Sequence, residues 1–471
     1  MRLTAGHSRP AHVAKSLGWC ALLLLSAMTA VPAFAQQKTG PGVPEDDSLT
    51  WKGITLYGVI DAGIQYDTHS APFSPYRPAA SGNIVRSNDY ESPVGVTPSN
   101  MGQSRIGLQG TEHLVGDFSA IFQVESFFNP QSGELANSMK SIVQNNGKAA
   151  NQQNIGVDGS SAGQAFQTAF VGVQSASFGA LTVGRQVTLL SEGMIQYDPN
   201  YLSTAFGLLG GTNQYAGGGS NENNRLDDTA KYLVSYGDVV HFGALYKFNE
   251  SSGSGNTAYQ VDIGGNFAGA SLDAYYSKAN SAITAAALTA AQVAELPGLG
   301  YSSADSVAAT ISDNTSYALM GSYKLDPFKF FAGFEHIKWT DPNTPLKAGF
   351  QDIGGYVLAF VTNTAYVDPK QVQVYWTGVR YTVIPHLDLT AAYYYVHQDA
   401  YGTGTQAGCS TTAHSTCSGS TEAISFDADY RFNVHFDVYA GAMYSGVHDG
   451  MGSGYLYSTN INPTVGFRYK F

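Results

Sequence analysis

Charge is scarce in this chain: Asp, Glu, Lys and Arg together are 13% of its 471 residues. What charge there is leans acidic, 36 Asp and Glu against 24 Lys and Arg, a formal net charge of −12. The first 35 residues hold three of the bases and none of the acids, so the chain beyond them carries −15. Nucleic-acid binding rests on neutralising phosphates, and this balance argues against such a partner. Cysteine is nearly missing. Cys20 falls among the first 35 residues, which leaves Cys409 and Cys417 as the only pair beyond them. No stretch past residue 35 reaches the roughly 18 apolar residues that a membrane helix needs, so a bilayer, if crossed, is crossed by strands. The 11 histidines show no HExxH or comparable spacing, and neither a metal nor another cofactor is expected.

What the chain has in plenty is Gly (53), Tyr (30) and Phe (24), a profile of many short, aromatic-edged strands with glycine turns. On composition alone a large secreted β-protein fits as well as a membrane barrel. Arg2, Arg9 and Lys15 precede an apolar run over 20–31 and the small-x-small sequence Ala33-Phe34-Ala35. This predicts a secretion signal over 1–35, then a flexible leader over 36–53 and the body of the protein over 54–471. Cys20 begins the apolar run, where a lipidated cysteine would end it, so no lipid anchor is expected.

Period-two alternation marks about sixteen strands. They fall at 54–67, 103–112, 117–128, 165–174, 180–186, 225–236, 240–249, 257–266, 271–278, 315–325, 327–338, 370–382, 387–397, 421–431, 435–446 and 460–471. Short connections (113–116, 175–179, 237–239, 326, 432–434) interleave with long ones (68–102, 129–164, 187–224, 279–314, 339–369, 398–420). A transmembrane antiparallel β-barrel with short periplasmic turns and long outer loops produces this rhythm, and a sandwich has no reason to. The faces agree: Ile54, Leu56, Ile60 and Ile64 oppose Tyr57, Asp61 and Gln65. Charges in a dry core would be expensive, but they are tolerated in a water-filled lumen. The last strand, NINPTVGFRYKF, sets Val465, Phe467, Tyr469 and Phe471 against Gly466, Arg468 and Lys470 and runs to the final residue.

Specific segments resemble a known family. TLYGVIDAG (55–63), SRIGLQGTEHL (104–114), AIFQVES (120–126), AFVGVQSASFGALTVGRQ (169–186), AKYLVSY (230–236) and VGFRYKF (465–471) are similar to the general porins of Gram-negative outer membranes. The resemblance runs in order over nearly the whole chain past the leader. It implies a sixteen-stranded barrel, usually a homotrimer in outer-membrane lipid, that passes small hydrophilic solutes passively. It also implies that the insertion machinery reads the terminal aromatic, here Phe471, and that the third long loop, 187–224, folds inward to narrow the pore.

Strand parity points Arg105 into the lumen, and likewise Arg225, Asp227, Thr229 and Lys231. By resemblance, Arg105 and Arg225 fall where the family carries wall arginines facing the constriction loop, and Gln167 takes a third such position without charge. The loop offers Glu192, Asp198 and Glu222, while its centre, STAFGLLGGTNQY (203–215), has no carboxylate. A constriction biased toward positive charge and a weak anion preference are expected. The open alternative is that Arg105 and Arg225 are tied up in ion pairs with Asp198, Asp227 or Asp228. With Arg468 and Lys470 also facing inward, the lumen reads as basic and the acidity as belonging to loops and rims. Arg185 shares parity with Leu181 and Val183 and so faces lipid, where a mid-bilayer charge costs about 2–4 kcal/mol. The resemblance suggests that Glu134 of a neighbouring subunit covers it; a rim position among headgroups is the alternative.

Cys409 and Cys417 lie in a Ser/Thr-rich outer loop of an oxidising compartment, and a disulfide is expected. His414 between them is too little for a metal site. Residues 159–163 match G-x-S-x-G but lack the strand and helix that would strain the serine, so no enzyme is expected. An Ala-rich helix is predicted over 281–296. Two further readings stay open: a substrate-specific channel in which lumenal Tyr57, Tyr275, Tyr375 and Tyr394 stack on a ligand, and an adhesin-like barrel whose loops bind surfaces.

Overall fold

The computed structural model describes residues 49–69, 92–133, 135, 165–209, 225–237, 239–248, 257–286, 288, 290–300, 306–346, 351–353, 356–404, 407–409, 415–452 and 457–471. The secretion signal, Glu134, His414, Glu222 and the G-x-S-x-G segment lie outside these residues.

Side chains alternate faces along an extended chain, and here the apolar set is the exposed one. In β1 (Ile54–Tyr66), Ile64 is 56% exposed while Asp61 and Gln65 on the opposite face are at 0%. Such an inside-out wall is stable only where the surrounding solvent is itself apolar. The wall continues through β2 (Arg105–Val115), β3 (Phe118–Phe127), β4 (Thr168–Ser175), β5 (Gly179–Val187) and β6 (Arg225–Tyr236). Then follow β7 (Val240–Lys247), β8 (Ala258–Phe267), β9 (Ala270–Ala286), β10 (Ser306–Leu325) and β11 (Phe328–Thr340). The last are β12 (Lys370–Ile384), β13 (Leu387–Gln398), β14 (Gly419–Arg431), β15 (Phe436–Asp449) and β16 (Thr464–Lys470). β16 pairs back onto β1 from Val59↔Lys470 to Gln65↔Thr464, which closes a 16-strand antiparallel barrel. Closure leaves no wall strand with an unpaired edge, a condition for backbone in lipid.

Two wall strands are broken near the closing seam. The upper half of β1 pairs with a separate strand, Val94–Pro98, and residues 99–104 leave the sheet before β2 begins. Likewise Thr459–Ile461 precedes β16, with Asn462 and Pro463 between them. Both breaks face the lumen and receive the far end of the third loop. The expected leader also gains structure, since Thr50–Trp51 pairs with β1.

The long outer loops differ from expectation in two places. β9 runs on to Ala286, paired with β10 from Ala282↔Ser312 to Ala286↔Ala308, so the predicted 281–296 helix shrinks to α2 (Ala290–Glu295) and a 3₁₀ turn, Leu296–Leu299. Alanine's helical propensity is weak beside a continuous ladder of strand hydrogen bonds. In the 339–369 connection, Tyr356–Thr362 adds in parallel to the upper end of β10 and carries Gln351–Ile353 as a hairpin partner.

The third loop does fold inward. It opens with α1 (Leu189–Tyr197), whose N-cap, the Thr188 hydroxyl, accepts from Ser191 N at 3.2 Å. Leu189, Leu190, Met194, Tyr197, Leu208 and Leu209 are all buried against Leu226, Tyr275, Met320, Val372, Trp376 and Tyr394 of the inner wall. On β11–β13 the inner face is thus largely apolar, where alternation at β1 and β3 had suggested a polar lumen all round. Those strands are apolar on both faces because the loop covers one and lipid the other. At about 1.5–3 kcal/mol per buried large side chain, six such residues hold the loop by roughly 10 kcal/mol.

Candidate functional site: the constricted lumen

At the root of the loop, β2 and β3 place Arg105 beside Glu125, with Nε 3.3 Å from the carboxylate. Tyr57 donates its hydroxyl to the same Glu125 at 3.1 Å and accepts from Gln123. Arg225 lies over the Phe127 ring, 4.5 Å from its centroid, and Phe127 is the cross-strand partner of Arg105. Gln167 is fully buried here, its backbone N–H donating to Glu125 O at 2.8 Å. The three wall positions therefore do gather at one place. The carboxylate at their centre is Glu125 of the wall, whereas the loop acids Asp198 and Glu192 sit elsewhere.

Lys231 binds across to the loop, donating to Glu192 Oε1 at 2.7 Å and to Val187 O at 3.1 Å. Simple parity holds through Thr229 and fails above it. The register slips where Gly184↔Thr229 is followed by Gln186↔Leu226, with Asp228 at φ 50. This bulge buries Leu226 beside α1 and brings Asp227 onto Arg185. Arg185, expected to await Glu134 of a neighbour, is thus met by a carboxylate of its own chain.

Asp198 ends α1 on the far side of the lumen and is fully buried. It accepts from Tyr394 OH and from Leu202 N, each at 2.7 Å. Beside it Arg380 stacks on Tyr201, 3.9 Å from the ring centroid, and donates to the Tyr201 hydroxyl and to Pro199 O. Tyr201 and Leu202 both adopt left-handed backbone, φ 52 and 56. That conformation is unfavourable for side-chain-bearing residues, and the Asp198 and Arg380 contacts hold it. The loop then reaches the seam: Ser203 Oγ donates to Asn100 O at 2.6 Å, Thr204 Oγ1 to Ser99 O at 2.6 Å, and Asn462 Nδ2 to Ala205 O at 2.7 Å.

Burial pushes Asp198 up to about 6 from 3.8, against the hydrogen bonds from Tyr394 and Leu202 that favour the ionised form. Since the folded value lies above the unfolded one, the folded loop binds the extra proton. Its stability is greatest below about pH 4, falls as pH rises from about 4 to 6, and is level above. The expected span is at most roughly 3 kcal/mol. Thermal unfolding at pH 4.5 against pH 7.5 should show it, and Asp198→Asn should remove this contribution.

Sequence reading set Asp61 inward but missed Arg380, Asn100 and the inner-wall carboxylates Asp427, Asp429 and Asp437. Arg380 was not legible from parity, because it shares a face with Val374 and Trp376, which an outward apolar rule sends to lipid. Arg468, expected to face water, is 3% exposed and pairs with Asp437 at 2.9 Å and Asp429 at 3.1 Å. Asp61, Asp427, Asp429 and Asp437 all lie buried on the inner face, so the acidity is not confined to loops and rims. Tyr375, expected in the lumen, is 45% exposed on the outer face, its ring 5.0 Å from that of Phe334. Cys409 and Cys417 form the expected disulfide, with Cα atoms 5.2 Å apart.

A closed sixteen-stranded barrel, apolar outside and narrowed by an inward loop, defines an outer-membrane β-barrel of the porin class. The family model for Gram-negative porins matches residues 21–450, and the chain belongs to that family. It is 28% identical over 209 residues to an outer membrane porin protein of Bordetella pertussis, covering 44% of this chain and 46% of that one. To outer membrane porin protein 32 of Delftia acidovorans it is 25% identical over 205 residues, covering 43% and 46%. The chain thus aligns with about half the length of these curated relatives. Among solved structures, an anion-selective porin from Comamonas acidovorans superposes with a TM-score of 0.57 at 17% identity, covering 89% of this chain and 99% of that one. The trimer form of an outer membrane protein of Vibrio cholerae gives 0.51 at 13% identity, covering 89% and 99%.

Proposed function

We propose that the chain is a passive diffusion channel for small hydrophilic solutes and ions, with a weak anion preference set at the loop and below it. The observation that carries the preference is the relative depth of paired charges. At Arg105–Glu125, Arg431–Asp388 and Lys470–Asp437 the cation is the more exposed partner, 11% against 6%, 29% against 14% and 10% against 0%. The order reverses at three other pairs: Glu192 and Asp227 are each 27% exposed and Asp429 12%, against 5% for Lys231, 9% for Arg185 and 3% for Arg468. Opposed contributions of this kind make the net preference small. Under a tenfold KCl gradient across a planar bilayer, the reversal potential should take the sign of chloride, and Arg105→Gln should move it toward zero. A potassium-signed potential contradicts the reading.

A ligand-stacking channel is less well supported, because the hydroxyls of Tyr57, Tyr275 and Tyr394 are each committed to a carboxylate: Glu125, Asp273 and Asp198. The proposal includes a homotrimer, as in the Vibrio cholerae trimer form, with Glu134 and Arg185 at subunit contacts and Arg185 already held by Asp227. It also includes removal of residues 1–35 before assembly and recognition of Phe471 by the insertion machinery.

A further inference from the structure

Lysines on the lipid-facing side of a membrane barrel need an anionic or aqueous partner, and two of them here share one row. Lys278 of β9 pairs in register with Thr315 of β10, and Thr315 with Lys338 of β11. Direct cross-strand partners point to the same face. That face is the outer one, since Tyr276 and Tyr317 share its parity and are 38% and 49% exposed. Two strand spacings separate the lysines, about 10 Å. Among the described residues neither has an ion-pair partner, whereas Arg105, Lys231, Arg431, Arg468 and Lys470 in the barrel each face a carboxylate. The carboxylate one row further out, Asp313, is occupied by Ser281 N at 2.8 Å and by the backbone and side-chain nitrogens of Asn343 at 3.0 and 2.6 Å.

Height along the barrel fixes what the row meets. Phe328 stacks on Tyr381 at the short-turn end, ring centroids 4.8 Å apart. From Phe328 to Lys338 along β11, the rise projects to about 25 Å at a strand tilt near 40°, one thickness of the apolar band. A second aromatic belt adjoins the lysines: Tyr259, the register partner of Lys278, has its ring 6.0 Å from that of Tyr276 one row below, where Tyr317 and His336 stack at 4.8 Å. The row therefore stands at the headgroup level of the outer leaflet, with ammonium groups on either side of a hydroxyl.

We propose that Lys278, Thr315 and Lys338 form a binding site for a phosphate carried by an outer-leaflet glycolipid. Its acyl chains lie over the aromatic belt, and its phosphate receives both ammonium groups and the threonine hydroxyl. Full-length protein in detergent micelles, titrated with diphosphoryl lipid A and followed by native mass spectrometry, tests this. Lys278→Ala with Lys338→Ala should weaken binding roughly thirtyfold, as expected for two charges at a headgroup surface. Lys278→Arg with Lys338→Arg should keep it within about threefold, because the charge remains. Heat-modifiable gel migration establishes that both variants fold. Enzymatically dephosphorylated lipid A should bind the unaltered protein no better than diphosphoryl lipid A binds the double-alanine variant. Equal binding of diphosphoryl lipid A by that variant, or equal binding of the dephosphorylated lipid, overturns the proposal. So does displacement of the lipid by millimolar inorganic phosphate, which would identify free phosphate as the ligand.

Discussion

Arg468→Met should lower the unfolding free energy of the barrel by about 3–5 kcal/mol, the cost of leaving buried carboxylates without their cation. Arg468 lies in the last wall strand, 3% exposed, with Asp437 and Asp429 as ion-pair partners. Asp61 in the first strand is its cross-strand neighbour. Asp437 is itself at 0% and also holds Lys470 at 2.6 Å. One guanidinium therefore serves carboxylates from β1, β14 and β15 at the seam where the cylinder closes. Removing it leaves them close together where little water reaches, and their mutual repulsion acts on the pairing that closes the sheet. Adding Asp437→Asn should recover part of the loss by removing one of those charges. Urea unfolding in detergent micelles, followed by tryptophan emission, measures both variants. A loss below about 1 kcal/mol for Arg468→Met would show the cluster to be incidental, the value typical of exposed pairs.

The second large effect concerns the loop. Met194→Asp sets an acid at a position of 0% exposure between α1 and the apolar wall. Burial of an unpaired carboxylate costs several kcal/mol, a large fraction of the roughly 10 kcal/mol that holds the loop. Because the loop makes no wall hydrogen-bond ladder, the barrel should still form while the loop leaves its seat. Single-channel conductance should rise about twofold as the constriction widens. Gln196→Asp, on the exposed face of the same helix, should leave conductance unchanged. Unaltered conductance in a correctly folded Met194→Asp protein would mean that the loop does not set the pore.

The fold was legible because a barrel wall obeys a local rule. Alternation with an outward apolar face is written in most strands, so sixteen segments could be placed, although β9 runs eight residues past its expected end and β10 begins nine before its expected start. Arg105, Arg225 and Gln167 were grouped by the family resemblance, and parity supplied only the inward direction of the two arginines. Failures came where a local rule was overridden from a distance. The bulge at Asp228 broke parity within β6 and turned Asp227 to Arg185. Met320, Val372, Val374 and Val396 make inner faces apolar because they join one buried cluster with the inward loop, a fact carried by a segment far away in sequence. The breaks at 99–104 and at Asn462 have no period of their own. They exist to receive Ser203, Thr204 and Ala205. The inner-wall carboxylates were legible in principle, since Asp427, Asp429 and Asp437 stand at inward parity beside Arg468.

The most direct test of the whole account is the swelling of liposomes carrying the purified protein, measured with neutral sugars of increasing size. A passive, loop-narrowed channel predicts swelling rates that fall steeply and monotonically with solute size and do not saturate with concentration. Absence of swelling, or swelling confined to one saturable solute, would contradict it.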